Sequence, residues 1–599
     1  MKLFSASRRS AFASARTALL TSCALLAPVW SSATTEPKIL VYPRIVQFES
    51  LDPVAQFDEE SRVIVSQVYS TLLSYAYLER PYTLAPDLLT RMPEASADKL
   101  TYTFTLRPGV LFHDDPCFPG GKGRELTSDD VLYSLKRFAD ARLNNKSWFA
   151  LEGDIVGLDA YRAATAKAAP GTPPAAAGIA GFTKIDAHRF SLRLTHENPL
   201  FLFAFALSSS SIVPHEAVEK YKDQFSVHPV GTGPFTLHQV DRKGVLHFLR
   251  NPHYHGVYPS VGAPGDAAQG LLADAGKQLP LLDGIDMPLI EEAQPAALMF
   301  LKGELDWRGL DRANFSKLVR RNPDGSFRLA DEVASKFNIY SSLGLNSTYY
   351  AINLKDPVLG HNKLLRQALA RLVDTGTEIE VLYNGRGRPL QSLVPIDIPG
   401  GQGDTGATGN GYHLAKAKQL LAAAGYPGGQ GLPPLTLSMG DASVATHNLF
   451  DLLKARFAAA GVQLKPDLSD YPRFLKNLSS GNFQIADTGW NADYPDAEDF
   501  YQLLYSKNVA PGPNSPSFAN AAYDRAYEAS RYLPNGPKRY AYFKTMNDII
   551  QDEAPVILGL DPLRFGITQK WLRNFKRNTL ATEFQYLDID MALKKQGLK

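Results

Sequence analysis

Leu100-Thr101-Tyr102-Thr103-Phe104-Thr105-Leu106-Arg107-Pro108-Gly109-Val110-Leu111-Phe112, followed by Leu126-Thr127-Ser128-Asp129-Asp130-Val131-Leu132-Tyr133-Ser134-Leu135, holds the pattern on which the fold turns. Tyr102, Phe104 and Leu106 alternate with Thr101, Thr103 and Thr105, as in a half-buried strand. Arg107-Pro108-Gly109 turns the chain, and Val110 and Phe112 resume the strand. Thr127 stands three residues before Asp130 and just ahead of Val131, Leu132 and Leu135, a capping signal that opens a helix.

The same alternation of strand and helix extends in both directions. Lys38–Tyr42, Phe190–Leu194 and Thr348–Leu354 read as strands. Ser61–Tyr75 reads as a buried helix through Val63, Ile64, Val68, Leu72 and Leu73, and Lys363–Val373 and Ala415–Gly425 as further helices. Gln551–Leu560 ends a helix and enters a strand. Phe201–Leu207 is apolar, but too short to be anything other than core. Tyr161–Gly181 reads as an exposed insertion, and Gly256–Gly284 has turn composition throughout. Strands alternating with helices along the whole length predict α/β lobes.

The N-terminus has the features of an export signal. Lys2, Arg8, Arg9 and Arg16 form a basic head, Ala18–Trp30 is apolar, and Ser31-Ser32-Ala33 supplies small residues, so residues 1–33 are expected to be a signal peptide cleaved near Ala33. Leu20-Thr21-Ser22-Cys23 has the letters of a lipobox, but the apolar run continues past Cys23, so an unanchored periplasmic protein is expected ahead of a lipid-anchored one. Arg8-Arg9 leaves twin-arginine export open beside the general route.

Among 599 residues there are two cysteines, so loss of the leader would leave Cys117 alone and stability would rest on buried core. A formal net charge of +2 gives no electrostatic case for nucleic acid. Gly401, Gly403 and Gly406 match a dinucleotide fingerprint by letters, but Pro395, Pro399, Gly409 and Gly411 make the segment a loop. His253 and His255 lack a nearby third ligand, Asp114 and Asp115 sit in a Pro/Gly loop and read as solvated, and no nucleophile motif occurs. No metal, cofactor or enzymatic activity is expected.

Trp490-Asn491-Ala492-Asp493-Tyr494-Pro495-Asp496-Ala497-Glu498-Asp499-Phe500 stands apart. Asp496 and Asp499 are placed to cap the helix that Phe500 continues, a structural role. Asp493 lies outside that cap, after the extended stretch Ile485–Trp490 and among aromatic residues. That setting suits recognition of a cation such as a peptide α-ammonium, although a loop aspartate bonding its own backbone would carry the same letters.

Taken together these segments resemble the family 5 extracellular solute-binding proteins, the oligopeptide/dipeptide/nickel-binding components of ABC importers. Beyond the two runs quoted first, the resemblance rests on Ser50-Leu51-Asp52-Pro53 and Pro229-Val230-Gly231-Thr232-Gly233-Pro234-Phe235. Arg250-Asn251-Pro252-His253-Tyr254, Gly303-Glu304-Leu305-Asp306, Arg366-Gln367-Ala368-Leu369-Ala370, residues 418–426 and the Trp490 segment continue it.

The resemblance implies a type II periplasmic-binding-protein fold, two α/β lobes joined by two crossover hinge strands, with an extra third domain. Lobe I would comprise 36–82, 206–345 and 559–599, the extra domain 83–205, and lobe II 346–558. The crossovers would fall near Tyr349–Asn353 and Val556–Leu560. It further implies Asp493 as the ammonium contact, and Gly489, Trp490 and Asn491 as residues pairing with peptide backbone; Tyr494 and Asn346 complete the candidate ligand-binding set. Peptide binders of the family carry a cysteine pair where this chain has Asn346 and Asn491, so that disulfide is absent here. The implied partners are a peptide and the ABC permease subunits of the inner membrane, with the protein a monomer. The same scaffold also carries nickel chelates, haem, opines and sugars, or serves as a peptide sensor or chaperone, so fold alone does not fix cargo.

Overall fold

The computed structural model describes residues 36–597, apart from residues 57, 81, 170–177, 323–325, 344, 397, 407–410 and 581. The leader, its cleavage site and Cys23 lie outside the described residues.

The architecture is two-lobed α/β, and the sheets define its parts. In one lobe Ile39–Val41, Gly284–Met287, Leu246–Arg250 and Phe235–Val240 lie side by side. A second sheet of this lobe sets Trp307–Gly309 and Phe337–Leu343 on either side of the long strand Leu560–Gln569. The other lobe is built on the order Leu464–Leu468, Leu435–Met439, Ile485–Asn491, Asn346–Ile352, Val556–Leu558. Within Asn346–Ile352, Tyr349 and Ala351 enter one apolar cluster while Tyr350 and Ile352 enter another. This is the two-residue period of a strand buried on both faces.

The chain passes between the lobes twice. Phe337–Leu343 belongs to the first lobe and Asn346–Ile352 to the second, so one passage falls between residues 343 and 346. The return runs within Leu560–Gln569: Leu560, Asp561 and Pro562 pair with Gly387–Pro389, and the residues from Leu563 onward pair with Phe337–Leu343. Tyr349–Asn353, where a crossover is expected, therefore lies just inside the second lobe's sheet. Strand alternation does not mark where one sheet hands over to another.

The smaller domain is a sheet of Glu94–Ala95, Thr101–Thr105, Arg189–Arg193 and Phe182–Lys184, packed on helix Ser128–Ala139. Thr127 and Asp130 form a capping box at the start of that helix. Phe104, Phe190 and Phe201 share one core with Ile64, Phe235 and Ile285 of the first lobe. Among the described residues no helix is long and apolar enough to cross a membrane.

Several local expectations are corrected. Ser61–Tyr75 is not one helix: Glu59–Val68 is helical and Leu73–Tyr75 is a strand paired with Leu84–Pro86. Thr71 donates its hydroxyl to the Leu73 carbonyl at 2.6 Å, and its N–H bonds Asp87 at 3.2 Å, drawing the backbone out of the helix. The stretch read as an insertion from Tyr161 begins within helix Leu158–Lys167. Asp115 is not solvated: it is 8 % exposed and bonds Tyr221 and His228 at 2.6 and 2.8 Å.

Candidate functional site

Strand Ile485–Asn491 sits where the two lobes meet. Along its inner side it pairs antiparallel with Asn346–Ile352, placing Asn346 opposite Asn491 and Thr348 opposite Gly489. Ala492 donates its N–H to the Leu345 carbonyl at 2.7 Å, which sets the phase of the ladder. Thr488 and Trp490 therefore turn their backbone groups toward the neighbouring strand, while Gly489 and Asn491 turn theirs away. On the outer side Leu435–Met439 pairs with Ile485 and Ala486 and goes no further. The outward N–H and C=O groups of Gly489 and Asn491 have no protein partner among the described residues. Gly489 is exposed, and a Cβ there would stand 2.8 Å from the Ser347 carbonyl oxygen.

At the end of this open edge lies Asp493. It is partly exposed, yet walled by protein, and burial pushes its carboxyl up to about 7, with Arg62 pulling down and Glu59 pushing up. Both of these come from the first lobe. They stand on helix Glu59–Val68, which Asp58 caps by accepting the Ser61 N–H at 2.8 Å. Burial would raise Glu59 too, but Arg62 at 2.7 Å outweighs it and holds Glu59 below the usual carboxylate range. Glu59 also accepts the Asn491 side-chain amide at 3.0 Å, and Tyr75 donates its hydroxyl to the Asp493 carbonyl at 3.4 Å. The lobes are thus drawn together around the edge and its carboxylate.

The residues singled out from sequence take different places. Gly489, Asn491 and Asp493 gather at the open edge. Asn346 stands behind it, donating its amide to Asn491 at 2.6 Å. Trp490 offers its backbone to Ser347 and its indole N–H to Asp499 at 3.2 Å. Tyr494 is 4 % exposed; it donates its hydroxyl to Glu498 and stacks on Phe203 of the smaller domain, ring centres 5.8 Å apart. Asp499 caps nothing: its carboxylate turns back to accept the Asp493 N–H at 2.8 Å. Asp496 accepts the Glu498 N–H at 2.9 Å and pairs with Arg539 at 2.7 Å.

Glu59, Arg62 and Tyr75 were missed from the sequence, which holds no signal linking them to residues more than four hundred positions away. A cavity of about 410 Å³ on the smaller domain, lined by Thr90, Thr105, Leu106 and His188 among others, has neither Asp493 nor Glu59, Arg62 or Tyr75 in its lining. Among the described residues no three His, Cys, Asp or Glu side chains are grouped to hold a metal ion.

An open strand edge ended by a carboxylate, held between two α/β lobes, defines a two-lobed binding protein. The chain belongs to the bacterial extracellular solute-binding proteins, family 5, whose middle-region model matches residues 83–512. The dipeptide-binding protein of Escherichia coli strain K12 is 24 % identical over 510 residues, 83 % of this chain and 85 % of that one. Heme-binding protein A of Haemophilus influenzae is 24 % identical over 509 residues, covering 83 % of each chain. The periplasmic binding protein DppA of Helicobacter pylori, solved in complex with the peptide STSA, superposes with a TM-score of 0.74. That match has 22 % identity and covers 92 % of this chain and 98 % of that one.

Proposed function

We propose that this protein captures short peptides between its lobes and delivers them to an ABC permease in the inner membrane. The observation that carries this is the unpartnered edge at Gly489 and Asn491 with Asp493 at its end. An extended peptide adds to such an edge through main-chain hydrogen bonds, which grip any sequence. Its α-ammonium, leaving water, needs a compensating carboxylate, and Asp493 supplies it. Asn346 supports Asn491 from behind, and the indole of Trp490 and the ring of Tyr494 fix the loop. Ligand bound to both lobes favours the closed state over the open one, which a permease can tell apart.

The proposal includes export by the leader 1–33 to the periplasm, a monomeric state, and no catalytic role. It takes residues 36–82, 206–345 and 559–599 as lobe I, 83–205 as the extra domain and 346–558 as lobe II. Support comes from the two passages near residues 343–346 and 558–563 and from family membership.

The test is mass spectrometry of small molecules released by denaturing the exported protein, followed by calorimetric titration with trialanine. A ladder of short peptides and binding of trialanine are expected. A single non-peptide species such as haem, with no binding of trialanine, would overturn the peptide cargo.

A further inference from the structure

Asp499 is fully buried, at 0 % exposure, directly behind the end of the open edge. Its Oδ2 accepts two hydrogen bonds, from the Asp493 backbone N–H at 2.8 Å and from the Trp490 indole N–H at 3.2 Å. Its Oδ1 has no hydrogen-bond partner. The titratable groups that bear on its charge are Asp493, Glu498 and the hydroxyls of Tyr75 and Tyr494, and none of them is a cation. Arg62 acts on Asp493 instead.

A carboxyl in this position is a costly choice if structure were its whole purpose. Burying a polar atom without a partner is unfavourable, and burying a charge beside another carboxylate more so. An asparagine would accept the same two N–H bonds without burying a charge, although its amide N–H groups would stand unpartnered where Oδ1 does.

We propose that Asp499 is the positioning residue of the ammonium site, fixing the Asp493 main chain and the Trp490 ring from behind. The assignment rests on Asp493 being the ammonium contact. Geometry is the first part of the role: without an acceptor at Oδ2, the Asp493 N–H and the indole lose the bonds that hold the carboxylate at the strand end. The second part is a cost to folding that the positioning role carries. Burial, then repulsion from Asp493, raises Asp499 well above the usual carboxylate range. The two acids therefore do not ionise independently of one another.

The test compares Asp499→Ala and Asp499→Asn with the natural protein. Asp499→Ala should weaken trialanine binding at pH 7.5 by about tenfold or more. Asp499→Asn, which keeps the acceptor, should stay within about threefold; this rescue separates positioning from charge. In ligand-free protein, a buried acid raised above its unfolded value favours folding below that value and loses this as pH rises. Asparagine does not titrate, so the stability of Asp499→Asn relative to the natural protein should grow from pH 5 to pH 8, by up to about tenfold in the unfolding constant per pH unit.

Unchanged binding by Asp499→Ala, or a stability difference flat with pH, would overturn the assignment. Failure of the natural protein itself to bind trialanine would overturn the peptide reading and the positioning role together. Binding by the natural protein that Asp499→Ala leaves intact would remove the positioning role alone.

Discussion

Replacing Asn346 and Asn491 together by cysteine should staple the second lobe's sheet beside the ligand edge. The two residues face each other in antiparallel register. The Ala492–Leu345 bond places them in a non-hydrogen-bonded pair, where Cα atoms are about 4.5 Å apart. That is within the roughly 4.4–6.8 Å that a disulfide spans. The bridge would close a loop between positions 145 apart, for which chain entropy gives about 5 kcal/mol. Against it stand two lost hydrogen bonds, Asn346 to Asn491 and Asn491 to the charged Glu59. At about 1 kcal/mol for the first and about 2 for the second, the net gain is about 2 kcal/mol. For a lobe of this size that is roughly 4–8 °C in melting temperature. In the oxidised, leader-free variant only Cys117 should react with a thiol reagent after denaturation, and added reductant should lower the melt by that amount. Reactivity of the introduced thiols after oxidation, or a melt indifferent to reductant, would refute the pairing of these two strands at this register.

Asp493→Asn should weaken trialanine binding by about 30-fold or more, the effect of truncating one partner of a desolvated charge pair. Titration calorimetry at pH 7.5 checks it, and N-acetyl-trialanine should bind the natural protein as poorly; equal affinities would contradict an ammonium contact. Glu378, 4 % exposed, is pushed up to about 8 by burial and then by Asp487, itself raised to about 7 by burial and then by Asp441. Both folded values exceed the unfolded value of about 4, so their stabilising effect is full below about pH 4 and lost as pH rises toward 7 to 8. Glu378→Gln should therefore melt above the natural protein by a margin that widens from pH 5 to pH 8 in scanning calorimetry; a constant margin would count against it. Arg539→Met strands Asp496, since the pair is 1 % and 4 % exposed and bonded at 2.7 and 2.8 Å. A loss of about 3–5 kcal/mol in denaturant unfolding is expected, and a change under 1 kcal/mol would contradict it.

What the sequence revealed follows from how local each signal is. The strand at Thr101–Thr105 and the capping box at Thr127 and Asp130 are written in neighbouring residues, and both form as read. The Ser61–Tyr75 stretch misled because helix and strand bury the same apolar residues, and the break between them is made by Thr71 and the distant Asp87. At the site, the acid among aromatics at Trp490–Asp493 was legible. Its companions Glu59, Arg62 and Tyr75 were not, because tertiary contact alone brings them there. Asp499 has the letters of a cap because it stands in a first turn; only the folded chain shows its carboxylate turned back to the loop.

The open edge at Gly489 and Asn491 also bears on solubility. Unpaired strand edges on a protein's outside are templates on which other chains add, the first step toward aggregation. Here Glu59 of one lobe reaches across to Asn491 of the other, and Asp487 and Asp493 flank the edge. Charged side chains at the ends of a strand edge are one of the devices that keep a second sheet from adding to it. The same carboxylates that flank the proposed peptide edge therefore also guard it against the pairing that an unpaired strand invites.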